Sequence, residues 1–363
     1  MNSAPKSNSL LVSLGVTRPI FLSPMAGTGT VTLAAAVSNA GGLGALAVGA
    51  MSPARAHEAI AELRERTDRP FNINVFTHAP PVVDAAANER WLNYLSPRFA
   101  AFGAEPPASL SAIYPSFVED DAMLDVLLRQ RPPVVSFHFG LPSAERIAAL
   151  RQAGCLLFAT ATSLEEAQRI EAAQVDVIVA QGIEAGGHRG VFDPAARDER
   201  LSTLALVAAI ARRTRLPVVA AGGIMTGGGI AAALAAGAQA AQLGTVFIDT
   251  PESAADAAYR AALAAPDRGT ALTLAISGRP ARCLESRFTV LDRDPGRPPT
   301  PPYPVAYDAG KALNAAAAAR GDAGFAGHWA GQGVALSRRL PAAQLIETLV
   351  FELRAAAVHL QQY

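Results

Sequence analysis

Polar residues recur at the ends of short apolar runs in this chain. Asn72 and Asn74 lie two apart in FNINVF, and Ser136, His138 and Gly140 are spaced the same way in VVSFHFG. Gln181 opens QGIEAGGHRG, which carries Gly186, Gly187 and His188. AAGGIMTGGGI contains Gly222 and Gly223, QLGT is Gln242, Leu243, Gly244 and Thr245, and SPMAG contains Met25. Polar groups in apolar strands need partners. Six strand ends supplying amides, glycines and histidines fit one large polar ligand. Glycine lets backbone approach a ligand, and the first turn of a helix attracts anions. Gly222, Gly223, the turn at 226–229 and Gly244-Thr245 therefore read as a phosphate site; glycines that only shape turns are the plainer alternative. His188, between glycines, reads as an imidazole displayed over the ligand. His138 is evenly balanced between ligand contact and structure. His57, His78, His328 and His359 read as structural or surface residues, and Glu184 and Arg189 as partners in loop salt bridges.

The elements that must carry these residues alternate. Eight β-rich runs occur at 20–23, 43–48, 71–76, 134–139, 156–160, 175–180, 217–221 and 240–247. Most are apolar throughout, as strands covered on both faces are. Amphipathic stretches such as 54–66, 143–152 and 164–173 lie between them, and Ser143 and Ser163 precede acids as helix caps. This pattern predicts an α/β fold, a (β/α)8 TIM barrel, whose chemistry belongs at the C-terminal ends of the strands. Two segments break the rhythm. Residues 77–133 are far longer than an ordinary βα connection. Residues 270–363 hold a proline-rich link at 294–304, an alanine-rich helix near 311–320 and a closing amphipathic helix at 342–360. The expected division is a barrel of residues 1–76 and 134–269, and a smaller helical cap of residues 77–133 and 270–363 over one barrel end.

Composition sets the outer limits. The chain has 363 residues, long enough for two domains or one elaborated barrel. Charged residues make up 17%, below the usual share of about 25%, which argues against disorder. Thirty-one basic residues balance 31 acidic ones, which argues against a broad nucleic-acid-binding face. Two cysteines, Cys155 and Cys283, cannot build a disulfide framework or a zinc site, and no metal cluster is read. The N-terminal residues lack a basic segment leading into a long apolar run, and no apolar stretch is long enough to span a membrane. A soluble, cytoplasmic protein is expected; the sequence gives no oligomeric state.

Together, PMAG with AAAVSNAGGLG, NINVF, VVSFHFG, AQGIEAGGHRG and AAGGIMTGGGIAAALAAGAQAAQLGT resemble the nitronate monooxygenases, formerly called 2-nitropropane dioxygenases. The likeness runs from about residue 19 to 253, and PYPVAYDAGKAL and HWAGQG extend it. His138 with Tyr303, Tyr307 and Lys311 resembles the bacterial class I branch. The resemblance implies noncovalent FMN and oxidation of an alkyl nitronate by O2 to a carbonyl compound and nitrite, with propionate 3-nitronate as the branch's substrate. It implies flavin contacts at Met25, Asn74, Gln181, Gly186, Gly222, Gly223 and Gln242 to Thr245. It implies a catalytic, substrate-binding His188 and a substrate pocket lined by His138, Tyr303, Tyr307 and Lys311. The last three, at i, i+4 and i+8, would share one face of a helix that Pro304 can begin. MAGTGT departs from the family beside the expected flavin ring. A flavin reductase of the same fold, using NAD(P)H to reduce a quinone or an enoyl thioester, is the nearest alternative. A flavin-free, nucleotide-processing barrel is the more distant one.

Overall fold

A computed structural model describes residues 9–265 and 269–362. Eight parallel strands form the barrel: β1 (Ile20–Leu22), β2 (Gly44–Ala47), β3 (Phe71–Phe76), β4 (Val134–His138), β5 (Leu156–Ala161), β6 (Val177–Gln181), β8 (Val218–Ala221) and β9 (Ala240–Leu243). Their order is β1-β9-β8-β6-β5-β4-β3-β2. The ring closes where Leu22 N donates to Leu43 O and Leu43 N donates to Ile20 O. Each strand is buried because helices cover the outer face and side chains fill the inner one. At the N-terminal end of the barrel, α1 (Ser9–Leu14) packs Leu10 and Leu14 with Phe21, Phe158 and Val219.

The outer ring begins with α2 (Val31–Asn39) and α3 (Pro53–Arg66). The insertion contributes α4 (Ala85–Ala100) and α5 (Asp121–Gln130). α6 (Ala144–Gln152), α7 (Leu164–Ala172), α8 (Thr203–Ala211) and α9 (Gly227–Ala235) follow their strands. Thr30, Ser52, Ser143, Ser163, Ser202 and Thr226 each cap a helix by accepting a backbone N–H three residues on, which fixes where helix begins after a strand end.

Three features differ from expectation. The closing helix, α13 (Ala342–Leu360), was expected over the barrel mouth, yet it packs between α9 and α2. Ala342, Leu345, Ile346 and Leu349 are fully buried in the barrel's main core. It is the eighth helix of the ring, so the cap among residues 270–363 ends before it. The reason is spatial: the chain leaves β9 into α10 (Ala257–Ala264) and then the cap, so the ring position between α9 and α2 is filled from further along. The second difference is a small sheet, β10 (Thr270–Thr273), β11 (Ala281–Leu284) and β7 (Gly187–His188), in which Ala281 pairs with His188. Lastly, β9 stops at Leu243 and a single 3-10 turn, Thr245–Phe247, replaces the last residues expected in that strand.

α11 (Arg287–Leu291) and α12 (Val305–Ala318) complete the cap. α12 begins earlier than the alanine-rich run suggested. Trp91, Leu95 and Phe99 of α4 share a second core with Val305, Ala309 and Leu313 of α12 and with Phe288 and Phe325. α4 of the insertion and α11 and α12 of the C-terminal segment are thus one packed unit, whereas α5 was expected in the cap but puts Met123, Val126 and Leu127 into the barrel core beside α3, filling the ring position after β3.

Candidate active site

A cavity of about 700 Å³ opens at the C-terminal ends of the strands, beneath α12. Most residues singled out from the sequence line it: Met25, Asn74, His138, Gln181, Gly186 and His188 from the first six strand ends; Gly222, Gly223 and Gln242 to Thr245 from the last two; and Tyr303, Tyr307 and Lys311 from the cap, whereas Asn72 and Gly140 do not.

The β8–β9 end is built from backbone. Gly222 and Gly223 hold φ of 124° and 68°, where side-chain-bearing residues are strained. A Cβ on Gly222 would stand 2.7 Å from Thr203 Oγ1, and one on Gly223 would stand 2.9 Å from the Glu184 Cβ. The amide N–H groups of Gly222, Gly223 and Gly244 have no acceptor among the described residues. The reading of the 226–229 turn needs correction. Gly227 N donates to the Glu352 carboxylate at 2.8 Å and Gly229 N to Thr226 Oγ1 at 3.2 Å. The protein's own anion, brought by α13, therefore occupies the first turn of α9, and 226–229 does not line the cavity. What remains for an anion is the amides of the two strand ends. Glu184 likewise makes no salt bridge among the described residues: it accepts from Thr203 N and Oγ1. Arg189 does pair with Asp198, at 2.9 Å.

His188 is placed by hydrogen bonds from three sides. β7 pairs with β11. The His188 carbonyl accepts from Gln181 Nε2 at 3.0 Å and from His138 Nε2 at 3.2 Å. Gln181 Oε1 accepts from Gly190 N at 2.8 Å. The His138 Nδ1 then accepts from the Thr160 hydroxyl at 3.0 Å. Both polar ends of Gln181 and the Nε2 of His138 thus hold the 187–190 segment, while Thr160 on β5 fixes the His138 ring through Nδ1, although Gln181 and His138 also border the cavity. His188 Nε2 meets Ser277 Oγ at 2.9 Å. Because a hydroxyl both donates and accepts, this contact suits either imidazole tautomer, and Nδ1 makes no hydrogen bond among the described residues.

Burial lowers the His188 pKa to about 3, with His138, Arg279 and His78 adding to the effect. Burial and then Arg279 lower His138 and His78 to about 4. All three imidazoles are neutral at pH 7. His78, read from sequence as structural or surface, is buried in the wall with its ring 5.0 Å from that of Tyr303.

The cap wall is aromatic. The His188 ring lies 5.0 Å from Trp329, 5.4 Å from Tyr303 and 5.9 Å from Tyr307. Tyr303 precedes α12, so it does not share a helix face with Tyr307 and Lys311, which do lie one turn apart. Burial raises the Tyr303 and Tyr307 pKa values, keeping both phenols protonated. The Lys311 ammonium lies 5.0 Å from the Tyr114 ring centroid and 5.5 Å from that of Tyr307. Tyr114, Tyr259, Ser277 and Trp329 were not singled out from the sequence. Tyr114 sits in a proline-flanked loop and Ser277 in a turn, so neither has a periodic context; Trp329, within HWAGQG, had the clearest signal.

The geometry agrees with the comparisons. The family model described as nitronate monooxygenase matches residues 8–352. A nitronate monooxygenase of Paraburkholderia phytofirmans is 57% identical over the full length of both chains. One from Pseudomonas aeruginosa is 54% identical over 94% of this chain and 97% of its own. Among solved structures, a nitroalkane oxidase from Streptomyces ansochromogenes aligns with a TM-score of 0.87 and 43% identity, covering 97% of this chain and 99% of that one. FabK from Thermotoga maritima aligns with a TM-score of 0.75 and 30% identity over 98% of each. A barrel with this cavity, matched over nearly its whole length, belongs to the nitronate monooxygenase family of oxidoreductases.

Proposed function

We propose that the chain binds FMN without a covalent link and uses O2 to oxidise alkyl nitronates, propionate 3-nitronate foremost, to a carbonyl compound and nitrite. The observation that carries this reading is the single cavity with two unlike ends. One end offers unpaired amides of Gly222, Gly223 and Gly244; the other offers His188, two phenols and the Lys311 ammonium.

The residues fit FMN. The amides at the β8–β9 end and the Gly244-Thr245 step would hold a phosphate, and Met25, Asn74, Gln181, Gly186, Gln242 and Leu243 would border the flavin. Bound FMN supplies the single-electron chemistry between a nitronate and O2. The chain's own residues supply position. Lys311 and the phenols of Tyr303 and Tyr307 take the carboxylate end of the substrate through charge-assisted hydrogen bonds. His188 meets the nitronate head through Nδ1, and His138 holds the backbone that carries it. A nitronate is already deprotonated, so no base of ordinary strength is required. This suits a neutral imidazole with a depressed pKa. Trp329 and Tyr303 exclude water from the same face. Small-molecule substrate and O2 are the partners this reading needs, at a cytoplasmic site. Among the described residues no helix is long and apolar enough to cross a membrane.

The test has two arms. Acid-released flavin from the purified protein should be FMN at about one per chain, and propionate 3-nitronate should consume O2 and release nitrite. The likeness to FabK supports one rival, an NAD(P)H-dependent reductase. Rapid anaerobic bleaching of the flavin by NADH, with no nitrite from nitronates, would replace the proposal with that reading.

A further inference from the structure

Arg279 does not line the cavity but lies directly behind its wall. It is 3% exposed. Its guanidinium carbon stands 4.3 Å from the Phe139 ring centroid, one N–H donates to the Val191 carbonyl, and Nε has no hydrogen-bond partner. Among the described residues it makes no ion pair, whereas the equally buried Arg189 pairs with Asp198 at 2.9 Å. The ring it covers is cavity lining. Phe139 is held at a φ of 83°, a conformation strained for a residue with a side chain. Its ring meets His138 at 4.4 Å, Tyr303 at 5.3 Å and His188 at 5.8 Å. A buried charge without a counter-charge is costly, and its field is weakly screened.

We propose that Arg279 is the fixed positive charge that makes this cavity prefer an anion to a neutral molecule of the same shape. It is a specificity-determining residue that touches no substrate. A bound anion on the far side of Phe139 supplies the counter-charge that the fold withholds. The groups facing Arg279 agree with this role. Tyr303 and the imidazoles of His78, His138 and His188 are uncharged at neutral pH. The carboxylates that act on it, Glu166 on α7 and Asp193, do so from beyond ion-pair distance, and Glu166 is held by Thr162 and by Phe192 N. Lys311, the cation on the opposite wall, serves a second negative group when the substrate has one. Because the imidazoles stay neutral, the preference for anions is constant from pH 6 to 8.

This inference rests on the nitronate reading only for the identity of the anion, so its test avoids turnover. The probe is nitrate, a planar anion shaped like a nitronate head, titrated into the holoprotein by calorimetry beside neutral nitroethane. Arg279→Gln should weaken nitrate about 10-fold, the scale of one charge at several ångströms in a partly screened site, and leave nitroethane unchanged. Arg279→Lys, which keeps the charge but not the fork, should stay near the parent. Equal nitrate binding in parent and Arg279→Gln would overturn the proposal. So would a parallel loss of nitroethane, or a loss in Arg279→Lys as large as in Arg279→Gln. Should both variants misfold, Glu166→Gln decides. Removing that negative charge should tighten nitrate about 2-fold, and unchanged or weaker binding counts against Arg279. Nitrate binding that follows these expectations in a protein inert toward nitronates would sink the proposed function and leave Arg279 in place.

Discussion

The two ends of the cavity are made of different material. At the β8–β9 end the groups offered are backbone amides, fixed by positive-φ glycines and packed on Thr203 and Glu184. At the cap end they are side chains: His188, Tyr303, Tyr307, Trp329 and Lys311. Backbone cannot change its chemistry by substitution, so the first end suits a ligand that stays the same. Side chains can, so the second suits the molecule that must be chosen. In the proposed reading the cofactor and substrate roles divide along that line.

Substitutions at the cap end should alter turnover while flavin stays bound. His188→Ala should lower nitronate oxidation about 100-fold, the scale of one donor lost in the transition state, with a visible spectrum and FMN content like the parent's. Loss of flavin in that variant would mean that the two ends are not separable. Lys311→Met should raise KM for propionate 3-nitronate about 30-fold, within the range for one charged hydrogen bond. A nitronate lacking the carboxylate should be nearly unaffected, and equal effects on the two would remove Lys311 from the pocket. At the opposite end, Gly223→Val should weaken FMN about 10-fold, since a side chain there is strained at φ 68° and meets Glu184. Turnover per bound flavin should hold. Full FMN retention would move the phosphate elsewhere.

The smallest effect sharpens the electrostatic contrast. His78, His138 and His188 have folded-state pKa values of about 4, 4 and 3, below the unfolded value near 6.5. Between those limits the unfolded chain binds more protons, so stability rises with pH across the window and is lost as pH falls below about 6.5. Each histidine contributes at most about 1.4 kcal/mol per pH unit. Tm measured from pH 7.5 to 4.5 should fall on acidification, and less steeply in His78→Phe. Parallel slopes would mean that His78 is charged in the folded state.

The barrel was legible because strands covered on both faces are apolar without alternation, and because glycines and amides interrupt those runs only at the ends that face the ligand. The strand-end contacts named from the sequence line the cavity, but the 226–229 turn read as part of the phosphate site does not. What failed depends on distance along the chain. An amphipathic stripe such as that of α13 says that a helix is buried against something, not whether that is a barrel or a cap. The carboxylate on the α9 amides comes from Glu352, 125 residues beyond Gly227. β7 is two residues long and has no period to read, although it sets the position of His188. Tyr303 was placed on a helix by spacing alone, while the helix begins two residues later, at Val305. Arg279 lies in a short turn with no periodic context, and only the fold reveals its burial.

The position of α13 also bears on how the molecule is assembled. A ribosome delivers all eight strands by residue 243, yet the apolar sides of α2 and α9 stay uncovered until Leu345, Ile346 and Leu349 emerge about a hundred residues later. A Cβ on Gly227 would stand 2.2 Å from Leu353 N, so this seam is tight enough that only the bare backbone of α9 fits it. During that interval the nascent barrel carries an exposed greasy flank, which a chaperone could cover or another unfinished chain could capture. Aggregation during synthesis, rather than loss of chemistry, is the failure to look for in any variant that shortens or stiffens the last helix.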